Sequence, residues 1–164
     1  MKLIIEQWVN NSILRQISVD IEGYEIKKYL KLTKKVKKEV FGNKSDDKSV
    51  VLWIAGPQFW INKRIIIVNQ ILKVTDKNEI IANKYHIMIN PIITKSSKET
   101  EESDEGCLSL PDKGGIVLRN KQVNVTFIND KGVMQKMSFS WITSFVVQHE
   151  IDHLNWILFT DKLI

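Results

Sequence analysis

The chain has 164 residues, a length that suits one domain with a single hydrophobic core rather than two. Apolar residues make up 43% and charged residues 26%, a balance that argues against a disordered chain, and the single cysteine excludes an internal disulfide framework. No apolar run reaches the ~18 residues of a membrane span, and the first residues become polar too early for a signal peptide. We therefore expect a cytoplasmic protein without membrane contact.

The first predicted element is an amphipathic helix over residues 24–41. Seven lysines lie between residues 27 and 38 and contribute much of the net charge of +5. They favour either a solvated helix face or a surface that approaches a polyanion such as RNA, and the sequence leaves both open. The residues of its predicted buried face recur at three- and four-residue spacing and are Ile26, Tyr29, Leu30, Thr33, Val36 and Val40.

Strands dominate the middle of the chain. Asn129-Asp130-Lys131-Gly132 predicts a hairpin turn between the last two of them. An acidic run over 99–105 is typical of a solvated loop, although it leads directly to the only cysteine. The runs rich in β-forming residues are 49–55, 64–74, 79–90, 115–119, 123–129 and 132–139.

A second helix is predicted over residues 140–155, because Trp141, Phe145, His149 and Asp152 lie along one helix face. The chain contains no internal repeat and no linker-like segment. The order of the elements predicts one α+β domain, spanning residues 1–164, in which mostly antiparallel strands pack around a central helix.

The second helix carries a His-Glu-x-x-His motif at 149–153. Side chains four residues apart project from the same helix face, so the imidazoles of His149 and His153 can reach one metal ion. Glu150 can then accept a proton from a water molecule that the metal activates. The alternative interpretation is two surface histidines without a metal. Asp152 is better suited to the helix surface or to supporting a ligand than to catalysis.

A catalytic metal usually has three protein ligands, so a third is needed. Only eleven residues follow His153, and Asp161 is the only acid among them, which disfavours a zincin peptidase. Cys107 is the upstream candidate, although a lone cysteine is more often a small buried hydrophobe. Gly106 before it allows close backbone approach, and Pro111 is expected to end that strand.

These segments resemble the signature motifs of the peptide deformylase family. Glu-Gly-Cys-Leu-Ser-Leu-Pro at 105–111 and Gln-His-Glu-Ile-Asp-His-Leu at 148–154 are similar to the second and third motifs, and Ile-Ala-Gly-Pro-Gln at 54–58 resembles the first. The resemblance extends from about residue 13 to residue 163. It implies a deformylase-like fold that lacks the C-terminal helix with which many bacterial members dock on the ribosome.

The resemblance implies hydrolysis of the N-formyl group from N-formylmethionyl peptides of nascent chains, with release of formate. Cys107, His149 and His153 would bind one divalent metal ion, natively Fe²⁺, with Zn²⁺, Ni²⁺ or Co²⁺ as replacements. Glu150 would be the general base and then the general acid. The oxyanion on the formyl carbonyl would be stabilised by Gln58 and the backbone N–H of Leu108.

The resemblance also implies partners and substrate-binding residues. Nascent chains are the expected partner, with the ribosome surface as a further one, and the protein is expected to be a monomer. Ile142, Phe145 and Val146 would line the pocket for the methionine side chain, although ordinary core packing explains them equally well. The remaining expected substrate-binding residues are Leu52, Trp53, Ile54 and Gly106.

Tryptophan stands at four positions where the family usually has glycine, namely Trp53, Trp60, Trp141 and Trp156. The composition agrees, because the chain has 5 Trp and 7 Gly, whereas average usage predicts roughly eleven or twelve glycines. One hypothesis is that UGA codons read as glycine in the source organism were translated as tryptophan. The alternative is a divergent homologue that uses these tryptophans.

Two functions therefore remain open for the site. The complete ligand set and Glu150 favour an active deformylase. The missing glycines favour a deformylase-like protein that binds metal or peptide with weak turnover, because Trp53 would fill part of the substrate cleft.

Overall fold

The computed structural model describes residues 12–41, 53–74 and 80–164. Leu52 and the start of the predicted strand over 49–55 lie outside the described residues, as does Trp8, the remaining one of the five tryptophans of the chain. The elements are α1 (Ile26–Phe41), β1 (Trp53–Ala55), β2 (Ile65–Val74), β3 (Ile80–Ser96), β4 (Thr100–Cys107), β5 (Leu110–Asn120), β6 (Gln122–Ile128), β7 (Met134–Ser140) and α2 (Trp141–Leu154), with single 3₁₀ turns over Gly23–Glu25, Gly56–Phe59 and Phe159–Asp161.

Two antiparallel sheets surround α2. Five strands form one sheet in the order β1-β2-β3-β6-β7, and β4 pairs with β5 in a separate two-stranded sheet. Val146, Val147, Ile151 and Leu154 of α2 pack into the main apolar cluster on the larger sheet. The predicted α+β class, with mostly antiparallel strands around a central helix, is confirmed.

The middle of the five-stranded sheet is covered on both faces. Side chains alternate between the two faces of a strand, so Ile66 and Val68 of β2 pack towards α2 whereas Ile65 and Ile67 belong to clusters on the opposite face. Residues of α1 pack against that opposite face. Coverage of both faces explains why β2 begins with a continuous apolar run instead of an alternating pattern.

Helix α1 has the predicted amphipathic arrangement. Tyr29, Thr33 and Val36 are buried, whereas six of the seven lysines are exposed and Lys37 is half-buried. The lysines therefore lie on the solvent side of the helix. No helix in the described ranges is long and apolar enough to cross a membrane.

Three predictions about the strands are wrong. β3 continues past Asn90 to Ser96, because Pro91 lies at a register shift between Ile89 and Ile92, where a missing N–H is tolerated. Pro111 does not end a strand but is the second residue of β5. The acidic run is not a loop: it forms β4, which leads directly to Cys107.

The predicted hairpin turn between β6 and β7 is confirmed. Asn129 Oδ1 accepts hydrogen bonds from the N–H groups of Lys131 and Val133, and the N–H of Asn129 donates to the carbonyl of Val133. Gly132 completes the turn with φ of 77°, a value that glycine adopts without steric cost.

Candidate functional site

The end of β4 and the second half of α2 bring three potential metal ligands together. Cys107 is the last residue of β4, and His149 and His153 are one turn apart on α2. One ligand atom from each of the three residues lies within 4.8 Å of the others. Cys107 Sγ is 3.4 Å from His153 Nε2. The three residues that the sequence motifs single out therefore share one site.

His149 is oriented as a metal ligand. Its Nδ1 lies 2.9 Å from Glu105 Oε2, and its ring stacks on that of Phe159 with a centroid distance of 6.1 Å. Its Nε2 is buried and has no hydrogen-bond partner in the described part of the chain. A histidine held by a carboxylate on one nitrogen, with the other nitrogen left bare, is the usual arrangement around a bound metal. This cluster is suited to a divalent cation.

The charges around the two imidazoles point to the same conclusion. Burial opposes a charge on His149, but Cys107 and Glu105 favour it and raise the pKa of the imidazole to about 10. Burial, and then the charge of His149, lower the pKa of His153 well below its ordinary value. Without a metal, the site therefore favours a positive charge on His149 and a neutral His153. A bound metal cation would supply that positive charge instead, with both imidazoles neutral.

Glu150 has the burial expected of a proton-transferring group. Its side chain is fully buried, and neither carboxylate oxygen has a hydrogen-bond partner among the described residues. Oε1 lies 4.0 Å from His149 Nε2. Burial in this position raises the pKa of the carboxyl to about 7. The carboxyl can thus accept and release a proton near neutral pH.

Gln58 approaches the cluster from the turn that follows β1. Its Oε1 accepts the N–H of Ala55 at 2.8 Å, which directs Nε2 towards Cys107 Sγ at 3.5 Å and Ser109 Oγ at 3.2 Å. Gly56 makes this tight turn possible, because a Cβ there would lie 2.6 Å from the carbonyl oxygen of Lys63. The side-chain amide therefore presents a donor beside the thiol.

Leu108 and Ser109 form the turn between β4 and β5. The turn places the backbone of Leu108 directly after the cysteine, and its side chain is 40% exposed. The role of its N–H stays a prediction. Ser109 is fully buried and fixes Gln58, a contact that the sequence analysis missed.

A buried ion-pair network joins the cysteine strand to the histidine helix. Arg119 of β5 is 1% exposed and donates to both oxygens of Glu105, at 2.7 and 2.9 Å, and to Asp152 of α2. Lys162 also binds Asp152. Burial alone would raise the pKa of Glu105, but hydrogen bonds from Arg119 and His149 lower it to about 2. Asp152 thus supports the site, one of the roles considered for it.

Sequence reasoning missed Arg119 in this network. No motif contains it, and its partners lie 14 and 33 residues away along the chain. Because Arg119 has no partner close to it in sequence, no local pattern predicts its role. Its contacts follow only from the pairing of β4 with β5 and the packing of α2.

An apolar cavity of about 100 Å³ opens beside His149. Of the predicted substrate-binding residues, Leu52 lies outside the described residues, and the side chain of Ile54 is fully buried in the core with Phe59. Side chains alternate between the two faces of β1, so the side chain of Ile54 points away from the cavity that Trp53 lines. The backbone of Ile54 is the part that a peptide could pair with, and its role in substrate binding stays a prediction. The predicted residues that do line the cavity are Trp53, Gly106, Ile142, Phe145 and Val146.

Comparison with known proteins identifies the family. The sequence model of polypeptide deformylases matches residues 4–164. The chain belongs to the polypeptide deformylase family. A peptide deformylase of Synechocystis sp. is 38% identical over 110 residues, which are 67% of this chain and 56% of the relative. The chain thus aligns with little more than half the length of the curated deformylases it matches.

Solved deformylase structures share the fold over nearly the whole chain. A probable peptide deformylase from Synechococcus phage S-SSM7 is 38% identical, has a TM-score of 0.79, and matches 98% of this chain and 99% of its own. A class I type b peptide deformylase from Acinetobacter baumannii, solved with Met-Ala-Ser bound, is 28% identical with a TM-score of 0.74, and matches 99% of this chain and 100% of its own. The deformylase fold is therefore shown for this chain.

Proposed function

We propose that the chain removes the N-formyl group from N-formylmethionyl peptides of nascent chains and releases formate. The observation that carries the proposal is the partnerless, fully buried Glu150 beside the Cys107–His149–His153 cluster. Membership of the deformylase family supports the same reaction. Water adds to the formyl carbon, the C–N bond breaks, and the products are formate and a free amino terminus.

Three sets of residues have distinct roles in the proposed reaction: proton transfer, stabilisation of the developing negative charge, and positioning of the cluster. Glu150 accepts a proton from the attacking water and passes it to the leaving amine, a task that its pKa of about 7 suits. Gln58 and the backbone N–H of Leu108 donate to the oxygen on which negative charge develops. Glu105 and Arg119 are positioning residues that hold His149 and the cysteine strand in place.

Cys107, His149 and His153 would hold one divalent metal ion. Bound there, the metal supplies Lewis-acid activation of water and of the formyl carbonyl. A cysteine and two histidines suit Fe²⁺, and also Zn²⁺, Ni²⁺ or Co²⁺, because thiolate and imidazole are ligands that all of these ions accept. We propose Fe²⁺ as the native metal.

The substrate would bind along β1 with its methionine side chain in the cavity beside His149. β1 is the edge strand of the larger sheet, and an edge strand can pair with an extended peptide through its backbone. Apolar side chains, among them Phe145 and Val146, line much of the cavity, together with polar residues of β4. The Met-Ala-Ser complex of the Acinetobacter baumannii relative supports a substrate of this class.

The proposed substrate implies a cytoplasmic protein that works on chains leaving the ribosome, and we propose that it does so as a monomer. The exposed lysines of α1 offer a positive face that suits the phosphates of a ribosome surface.

A second function rests on Trp53. Its indole lines the cavity beside His149 and also packs against the main apolar cluster. A side chain of this size narrows the space for methionine, which favours a protein that binds metal or peptide with weak turnover.

One assay separates these functions from each other and from a peptidase. The chain is loaded anaerobically with Fe²⁺ and incubated with formyl-Met-Ala-Ser, and formate, shortened peptides and peptide binding are measured together. Formate without shortened peptides supports the deformylase. Binding without formate supports the weak-turnover alternative, and cleavage at an internal peptide bond contradicts both.

A further inference from the structure

Three tryptophans have a backbone conformation that favours glycine. The φ angles of Trp60, Trp141 and Trp156 are 64°, 54° and 70°. In this left-handed region the Cβ of an L-residue crowds the following carbonyl oxygen, so few residues other than glycine adopt it, mainly Asn, Asp and His. Elsewhere in the described ranges, positive φ occurs only at Asn90 and Gly132, residue types that tolerate it.

Trp156 occupies the glycine position of a helix-ending motif. After α2, the N–H of Ile157 donates to the carbonyl of Asp152 at 3.0 Å, and the N–H of Trp156 donates to that of His153 at 3.4 Å. This pair of bonds defines the Schellman motif, whose left-handed residue is usually glycine.

Trp60 repeats the same pattern at the end of the 3₁₀ turn over Gly56–Phe59. The N–H of Ile61 donates to the carbonyl of Gly56 at 3.0 Å, and the N–H of Trp60 donates to that of Pro57 at 3.4 Å. Two separate turns thus close with the same hydrogen bonds and place tryptophan where glycine is the usual residue.

Burial of the indoles does not offset this conformational cost. Trp60, Trp141 and Trp156 are 56%, 59% and 53% exposed. Trp141 uses its backbone N–H for the carbonyl of Lys121, a bond that any residue other than proline can make. Only a few per cent of non-glycine residues have a positive φ, so about 0.1 such residue is expected among the four tryptophans that the structure describes. Three are found.

We infer that residues 60, 141 and 156 are glycine in the natural protein, and that their codons are UGA, read as glycine in the source organism and as tryptophan in this sequence. The low glycine count of the chain agrees with this reading. Trp53 differs from the three, because it lies in a strand and has no positive φ. If the codon at position 53 is also UGA, residue 53 is glycine in the natural protein as well.

The codons test the inference directly. The gene is sequenced from genomic DNA of the source organism, and the protein purified from its cells is digested and weighed peptide by peptide. UGA at all three positions, with peptide masses that match glycine, is the expected result. UGG at any of the three, or masses that match tryptophan, would overturn the inference and leave the exposed indoles as a genuine aromatic surface.

A stability comparison tests the backbone argument separately. We expect Trp156→Gly to have a folding equilibrium constant at least about fivefold above that of Trp156→Ala, because only glycine enters the left-handed region freely. At the strand position the order should reverse, with Trp53→Ala above Trp53→Gly. If Trp156→Ala is the more stable variant in urea unfolding, the inference fails. Neither test depends on catalytic activity, so each stands apart from the proposed function.

Discussion

At the scale of single residues, the buried carboxyl of Glu150 is the feature of the site that most needs a functional explanation. A carboxyl that is fully buried and has no partner within the described residues is costly to the fold unless it serves a bound species. We predict that Glu150→Gln lowers kcat for formyl-Met-Ala-Ser by about 10³-fold, since the amide cannot accept a proton.

The metal content of Glu150→Gln is the control for that prediction. The variant keeps Cys107, His149 and His153, so it should bind as much metal as the parent chain. A variant that loses metal, or one that retains more than a tenth of the parent activity, would contradict a proton-transfer role.

Trp53 lines the cavity in which the substrate is proposed to bind. We predict that Trp53→Gly raises kcat/KM for formyl-Met-Ala-Ser by about tenfold, because the lost indole opens the wall of the cavity beside His149. Trp60→Gly is the matched control, since Trp60 does not line this cavity. An equal gain in both variants, or none in Trp53→Gly, would show that the indole does not obstruct the cleft.

At the scale of elements, Arg119 connects β4 and β5 to α2. We predict that Arg119→Met lowers the free energy of unfolding by about 3 kcal/mol, because Glu105 and Asp152 would keep buried charges with too little compensation. Urea unfolding measures this loss. Lys121→Met, at a half-exposed position in the same region, should change stability by less than about 0.5 kcal/mol.

The same network predicts a pH dependence of stability in the metal-free protein. The pKa of Glu105 is lowered to about 2 in the fold, so its contribution is complete above its unfolded value of about 4.5 and is lost as the pH falls towards 2. Stability should therefore fall over this window, and by less in Glu105→Gln. Glu102→Gln, at an exposed position of β4, is the control and should keep the parent profile. A parent-like profile in Glu105→Gln would refute the assignment.

At the scale of the whole molecule, local patterns predicted more of the chain than long-range contacts did. The four-residue spacing of His149 and His153 dictates a shared helix face, and the motif around Cys107 supplied the third member of the cluster. The predicted helices and the β6–β7 turn follow from periodicity and turn chemistry. Each of these depends on residues close together in sequence.

The features that were missed depend on residues far apart in sequence. Acidic residues usually favour loops, yet pairing with β5 makes the run before Cys107 a strand whose inward residue, Glu105, reaches Arg119. The strand predicted to stop at Asn90 continues through Pro91, which lies at a register shift, and Pro111, which was expected to end a strand, lies near the start of one. The pairing of backbones between strands determines the structure of the acidic run and of the segments around both prolines, and this pairing cannot be inferred from local sequence.

The central claim is that the chain releases formate from formylated peptides with the help of one metal ion held by Cys107, His149 and His153. Metal removal and reloading tests this claim most directly. The chain is stripped with a chelator and titrated anaerobically with Fe²⁺, while bound metal and formate release from formyl-Met-Ala-Ser are followed in the same samples. We predict no formate from the stripped chain and activity that rises in proportion to bound metal, up to one ion per chain. Formate release that survives chelation, or metal binding that is unchanged when Cys107, His149 and His153 are all replaced by alanine, would contradict it.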